Sequence, residues 1–352
     1  MKKNILTFSA ISLMLILTFN FIGCDKEGNP IIPVTVTTTK GAYILSEGGG
    51  SPGSSTLSLY SVVKDSFYLN IFSGGTLGSF PDGLMLYNNS LFVTEQGSFG
   101  GAGKIHKLDT TGVVQQSSFP FGTNPYSFAI QDNKIYVTNG PASSVSVLDL
   151  GSLSFIKTIS VGVYPQEIIA LGGKVFVCNT SLFGGAQDST VSVIDPQLDS
   201  VIARITVRKD PSSLAITNDG KLLIGCPSAS GYIYKIDPVS LAKMDSIFNL
   251  VDGLSKDMSL NSLAGDVYYI SASNNISKVN LSTKQSVVVI TNTDPANRFF
   301  YGYGYDEINS KHYILDARNF VLSGHLYIHN SSGVLEKDFT TGIAPRRVIF
   351  KR

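Results

Sequence analysis

The segment KIYVTN, Lys134 to Asn139, alternates apolar and polar positions with the period of a half-buried strand. The pattern returns along the chain, beginning at Ala42 (AYILSE), Leu91 (LFVTEQ), Ile135 (IYVTNG), Val175 (VFVCNT), Leu222 (LLIGCP), Val267 (VYYISA) and His312 (HYILDA). Successive copies start 49, 44, 40, 47, 45 and 45 residues apart. Self-similarity at this period is the mark of propeller blades or solenoid units. Each copy is followed by a second strand pattern, as in STLSLYS, GKIHKLD, SSVSVLD, STVSVID and GYIYKID. These second strands end at Ser61, Asp109, Asp149, Asp195, Asp237, Asn280 and Asn330. A short polar side chain at that point can bond the backbone two residues on and close a turn, so this column predicts turns rather than chemistry. A third strand returns, as in SFIKTIS and SVIARITV, and a Pro-led strand follows: PDGLMLY, PYSFAIQ, PQEIIAL, PSSLAIT.

Four short strands repeated seven times predict an all-β, seven-bladed β-propeller. The termini complete the count. The first copy has no Pro-led strand before it, and the chain ends on one, APRRVIFKR, with nothing after it. Pairing Pro345–Phe350 with the blade begun at Ala42 closes the ring and removes its exposed sheet edges. Residues 42–352 are therefore expected to form a single propeller.

The first residues change the picture of where the propeller works. Lys2 and Lys3 precede an apolar stretch from Ile5 to Ile22, broken by Ser9, Ser12 and Asn20, that reads as a secretory signal over residues 1–23 rather than a spanning helix. The tetrapeptide Phe21-Ile22-Gly23-Cys24 resembles a bacterial lipobox, which implies that Cys24 is the lipid-modified first residue of the mature chain; an ordinary cleaved signal is the alternative. Lipid chains partition into a bilayer by burying methylene groups, so Cys24 is expected to tether the protein to a membrane. Residues 24–41, with Pro30, Pro33 and a run of threonines, read as a spacer. Beyond residue 23 the chain carries 25 basic and 26 acidic residues, which gives nucleic acid no electrostatic footprint.

With the blades laid out, IYVTNGPASSVSVLDLGSLSFIKTISVGVYPQEI resembles the YVTN repeat of surface-layer-type, YncE-like bacterial propellers, and the likeness runs over residues 42–352. The resemblance implies an envelope or secreted seven-bladed protein, often without catalysis. Some lipid-anchored relatives capture cobalamin at the cell surface, so corrinoid-like nutrient capture beside an outer-membrane transporter is one expectation.

Chemistry is sparse. Four histidines, His106, His312, His325 and His329, form no HExxH or triad spacing. Cys178 and Cys226 lie on equivalent strands of adjacent blades, one residue out of register. Alternation points them to opposite faces and predicts buried free thiols. The LFGGAQ and GSFGGAG loops lack the context of a phosphate cradle and read as flexible loops.

Outside the turn column, the acidic residues singled out are Glu47 and Glu95, at the ends of KIYVTN-like strands entering Gly-rich loops, and Asp82 and Glu167, after the crossover prolines. The crossovers before the Pro-led strands and the loops after the KIYVTN-like strands should emerge at one end of the propeller. Glu47, Asp82, Glu95, Tyr126, Gln166, Glu167, Arg298, Phe299, Tyr301 and Arg346 are thus the candidate ligand-binding residues. No catalytic residue, metal or cofactor is assigned.

The expected function is a membrane-anchored envelope lipoprotein, on the outer membrane with its side left open, whose propeller binds a small molecule or protein without chemistry. Two alternatives stand beside it. One is a metal-dependent lactonase-like or lyase-like enzyme using Glu47, Glu95 and Glu167; the other is a structural adhesion or assembly module.

Overall fold

The computed structural model of the chain describes residues 38–98, 100–182 and 185–352. The expected signal segment 1–23, Cys24 and the expected spacer up to residue 37 lie outside the described residues, as do Phe99, Phe183 and Gly184 of the two glycine-rich loops.

Seven four-stranded antiparallel sheets stand around a central axis. Blade 1 joins the two ends of the chain. Its innermost strand is Pro345–Lys351, which pairs with Gly41–Ser46, with Tyr43 opposite Ile349. The expected closure is present, and blade 1 has its full four strands. The innermost strands of blades 2 to 7 are Leu84–Tyr87, Pro125–Gln131, Pro165–Leu171, Ser213–Ile216, Lys256–Asn261 and Phe300–Asp306.

Local chemistry explains the hairpins. Inner and second strands of blades 2, 3 and 4 join through Asn88-Asn89, Asp132-Asn133 and Gly172-Gly173, all at positive φ between 46° and 72°. Two successive left-handed residues make the turn whose twist matches the flanking strands. The polar column works as expected. Asp109 Oδ1 accepts the amides of Thr111 and Val113, Asp149 that of Ser152, Asp195 that of Gln197, and Asp237 those of Val239 and Ser240. Ser61, Asn280 and Asn330 cap their turns in the same way.

The apolar core is divided into seven clusters, each between two neighbouring blades. Strand alternation produces this division. Val175 and Val177 face blade 3, while Phe176 and Cys178 face blade 5. The same geometry sets the surroundings of the two expected buried thiols. Cys178 and Cys226 do point to opposite faces of their own sheets, but opposite faces of adjacent blades look at each other. Both thiols are therefore in the cluster between blades 4 and 5, free and buried.

The repeated strand is a clamp between blades. Lys134 Nζ and the Tyr136 hydroxyl both bond Asp199 of blade 4, each at 2.7 Å. Thr138 Oγ1 donates to the Gln166 carbonyl of blade 4 at 2.8 Å and accepts the Ser127 amide of its own inner strand. Asn139 braces its blade through Thr123 and Ser146. In blade 2, Thr94 reaches the Tyr126 carbonyl of blade 3 at 2.6 Å.

Candidate functional site

The inner strands enclose an axial channel of about 370 Å³ lined by residues of all seven blades, among them Met85, Phe128, Glu167, Ser213, Met258, Tyr303, Arg346 and Arg347. The channel's loop-rich end is where the inner strands begin. Register shifts occur there between Pro125 and Phe128, Pro165 and Ile168, Lys256 and Ser259, and Phe300 and Gly302, and opposite Pro345 in blade 1. A bulge bends a strand and re-aims its side chains. Tyr126, Glu167, Asp257 and Tyr301 lie within these shifted stretches.

Two adjacent arginines organise the mouth. Arg347 donates from Nε to Asp82 Oδ1 at 2.6 Å and from its terminal nitrogen to Glu167. Arg346, only 4% exposed, donates to both oxygens of Asp257 at 3.0 and 2.8 Å. Its other nitrogens stand 3.5 Å from Asp82 Oδ2 and 3.6 Å from Glu167. Asp82 is fully buried, and its Oδ2 has no hydrogen-bond partner. Gly83 allows this position, because a Cβ there would meet Thr94 Oγ1 at 2.4 Å and the Phe128 ring at 2.6 Å. Asp257 has a second task, accepting the Tyr303 amide of blade 7 at 3.1 Å.

A second group lies beside the arginines. The Tyr301 hydroxyl donates to Glu47, 3.1 Å from each carboxylate oxygen. Lys256 Nζ stands 4.0 Å from the Tyr301 ring centroid, and the Arg346 guanidinium lies 5.4 Å from it. Burial and the Asp82 charge push the Glu47 carboxyl up to about 7, against Arg346, Tyr301 and Lys256. Burial and Arg346 bring the Lys256 ammonium down to about 8. Burial likewise raises Glu167, against the opposing pull of Arg347. Burial also raises the Tyr126 phenol, whose ring lies 5.9 Å from the Arg347 guanidinium.

Six of the sequence-predicted residues therefore share one network: Glu47, Asp82, Tyr126, Glu167, Tyr301 and Arg346. The other four have different neighbours. Glu95 accepts the Gly78 amide at 2.6 Å and faces His106 Nε2 at 3.1 Å. Burial pushes its carboxyl upward, but His106 and that amide hold it below the usual range. Gln166 lines a separate recess with Thr180, Lys209 and Asp210. Arg298 stacks at 4.9 Å on Tyr327 of its own blade. Phe299 packs 5.6 Å from Phe320 on the loop surface. Glu95 thus stands apart from Glu47 and Glu167, and among the described residues no three His, Cys, Asp or Glu side chains group as metal ligands. Sequence reasoning missed Arg347, Lys256 and Asp257. Arg347 occupies the same place after its proline as Glu167 does. Blade 6 has no proline at this point, which hid Lys256 and Asp257.

Solved structures share the fold. A quinonprotein alcohol dehydrogenase-like protein of Bacteroides thetaiotaomicron superposes with a TM-score of 0.68 at 15% identity, covering 89% of this chain and 78% of its own. A protein of Bacteroides uniformis described as a 6-phosphogluconolactonase gives 0.66 at 16% identity, over 89% of this chain and 100% of its own. The periplasmic gluconolactonase of Pseudomonas aeruginosa also gives 0.66, at 14% identity, over 89% and 99%. At these identities the likeness establishes the architecture alone. No curated protein matches the sequence. A family profile does match, over residues 40–333, from the start of blade 1 to the third strand of blade 7. The chain belongs to that family, DUF5074, described as a domain of unknown function.

Proposed function

We propose that this chain is a YVTN-type, membrane-anchored envelope lipoprotein whose propeller binds a small molecule at its loop-rich end without catalysing a reaction. One observation carries the binding reading. Charged and aromatic side chains from blades 1, 2, 3, 4, 6 and 7 converge on a single channel mouth: Glu47, Arg346, Arg347, Asp82, Tyr126, Glu167, Lys256, Asp257 and Tyr301. Concave sites with a few convergent polar groups are the usual places where small molecules bind. Asp82, Glu167 and Asp257 are all engaged by arginine, which suits fixed recognition more than proton transfer. The anchoring part of the reading rests on Lys2, Lys3, the apolar stretch and Cys24, and it calls for a membrane transporter as the recipient of captured ligand. A corrinoid is far larger than a channel of about 370 Å³ and would lie across the loop face, not inside it.

Hydrogen exchange of the full chain with panels of sugars, organic acids, nucleosides and cobalamin tests the site. Protection is expected at the starts of the inner strands, around Tyr126, Asp257 and Tyr301. Protection confined to the short-turn end would sink it. Glu47 favours one rival, since a carboxyl near 7 suits a general base. Lactone hydrolysis that is lost in Glu47→Gln would replace binding with catalysis.

A further inference from the structure

Lys256 is the cation of the channel mouth that no carboxylate holds. Arg346 and Arg347 are shared among Asp82, Glu167 and Asp257, whereas no carboxylate of the described residues pairs with Lys256 Nζ. Its Nζ rests instead 4.0 Å from the ring centroid of Tyr301. The aromatic face offsets part of the lost hydration, but it supplies no counter-ion. The mouth therefore presents a positive group beside the Tyr301 ring, with Asp257, Glu47 and Asp82 acting on it from beyond ion-pair distance.

Next to that ring is an apolar ledge. Tyr301 meets Phe320 edge-on at 4.9 Å, and Phe320 meets Phe299 at 5.6 Å. Phe299 and Phe320 are 39% and 41% exposed, and Val321 and Leu322 extend the surface at 71% and 48%. Large apolar side chains that touch one another and still face solvent mark a binding surface.

We propose that the channel mouth takes an organic carboxylate with an apolar body, its carboxylate on Lys256 Nζ above Tyr301 and its body on Phe299, Phe320, Val321 and Leu322. The inference specifies the ligand for the binding reading above and rests on it.

Charge balance sets the pH sense. Asp82, Asp257, Arg346 and Tyr301 are the charged and titratable groups around Lys256 and Glu47. A ligand carboxylate arriving here adds negative charge beside Glu47, which favours the protonated Glu47. Glu47 titrates at about 7 and Lys256 at about 8. Binding therefore takes up a proton at Glu47 and needs the charged Lys256, so affinity rises as pH falls from about 8 to about 6.

Isothermal titration of the full chain with 3-phenylpropionate, against 3-phenylpropan-1-ol, is the test. Saturable binding of the acid is expected, tighter at the lower pH, and weakened about ten-fold or more in Lys256→Met. Lys256→Arg retains binding, and Glu47→Gln reduces the pH dependence. Circular dichroism and thermal unfolding confirm that each variant is folded. Equal binding of acid and alcohol, or full affinity in folded Lys256→Met, overturns the inference. Binding of a neutral sugar at this mouth without any binding of the acid also overturns it, yet leaves the ligand-binding reading intact.

Discussion

Arg347 and Asp82 are 265 residues apart in sequence and 2.6 Å apart in space, where the last strand of the chain faces the first residues of blade 2. The contact joins ring closure to the proposed site, because the strand that completes blade 1 also delivers both arginines to the channel. Replacing Arg347 by Met leaves Asp82 and Glu167 buried with only the more distant nitrogens of Arg346. Breaking a buried pair from one side costs about 3–5 kcal/mol. Urea unfolding should show a loss of this size, partly restored in Arg347→Met/Asp82→Asn.

The inter-blade clamp makes a second prediction. Thr138→Val keeps the shape of the side chain but removes the donor to Gln166 and the acceptor for Ser127. Leaving buried backbone groups unsatisfied costs about 1–3 kcal/mol each at most. Thermal unfolding should place Thr138→Val below the parent, with no change in secondary structure. Blade 4 has Cys178 at the equivalent position, so Thr138→Cys should be milder than Thr138→Val.

The two propeller thiols should be inert in the folded state. Burial pushes Cys226 up to about 12 and raises Cys178 well above its ordinary value. Only the thiolate reacts. Peptide mapping after iodoacetamide treatment at about pH 8 should find both unmodified. Both should be alkylated once denaturant is present. Rapid labelling of native Cys226 would show that the cluster between blades 4 and 5 opens.

Acid should weaken the contact between blades 6 and 7. His312 is fully buried among Tyr268, Tyr303 and Tyr305, with Nδ1 bonded to the Tyr303 hydroxyl at 2.8 Å and Nε2 without a partner. His329 lies directly across the strand pair from it. Burial brings both imidazoles down to about 4, with His329 adding to the effect on His312. Their folded values lie below the unfolded value, so the unfolded chain binds these protons first. The stabilisation is complete above about 6.5 and is lost as pH falls towards 4. Urea midpoints across that range should fall, and His329→Phe should make the decline shallower.

Much of the candidate site was legible in the sequence. The residues after the crossover prolines included Asp82, Tyr126, Glu167 and Arg346, and the end of the first strand marked Glu47. Lys256 and Asp257 were hidden because blade 6 enters its inner strand through Leu254-Ser255 and lacks the proline that flagged blades 1 to 5. Glu95 and Gln166 satisfied the same sequence criteria as their neighbours, but one turns to His106 and the other into a different recess.

The sequence by itself determined the seven blades, the hairpin turns, the polar turn caps and the closure of the ring. These follow from period-two alternation and from side chains bonding backbone two to four residues away, interactions that are local along the chain. Only the tertiary structure decided which carboxylates meet which arginines, why Cys178 and Cys226 share one core, and why Lys256 forms no close ion pair among the described residues. Those outcomes depend on bulges that re-aim side chains and on distances across an axis where seven separate strands converge. No spacing within one strand encodes such a distance, because it is set by the angle at which every blade packs against the next.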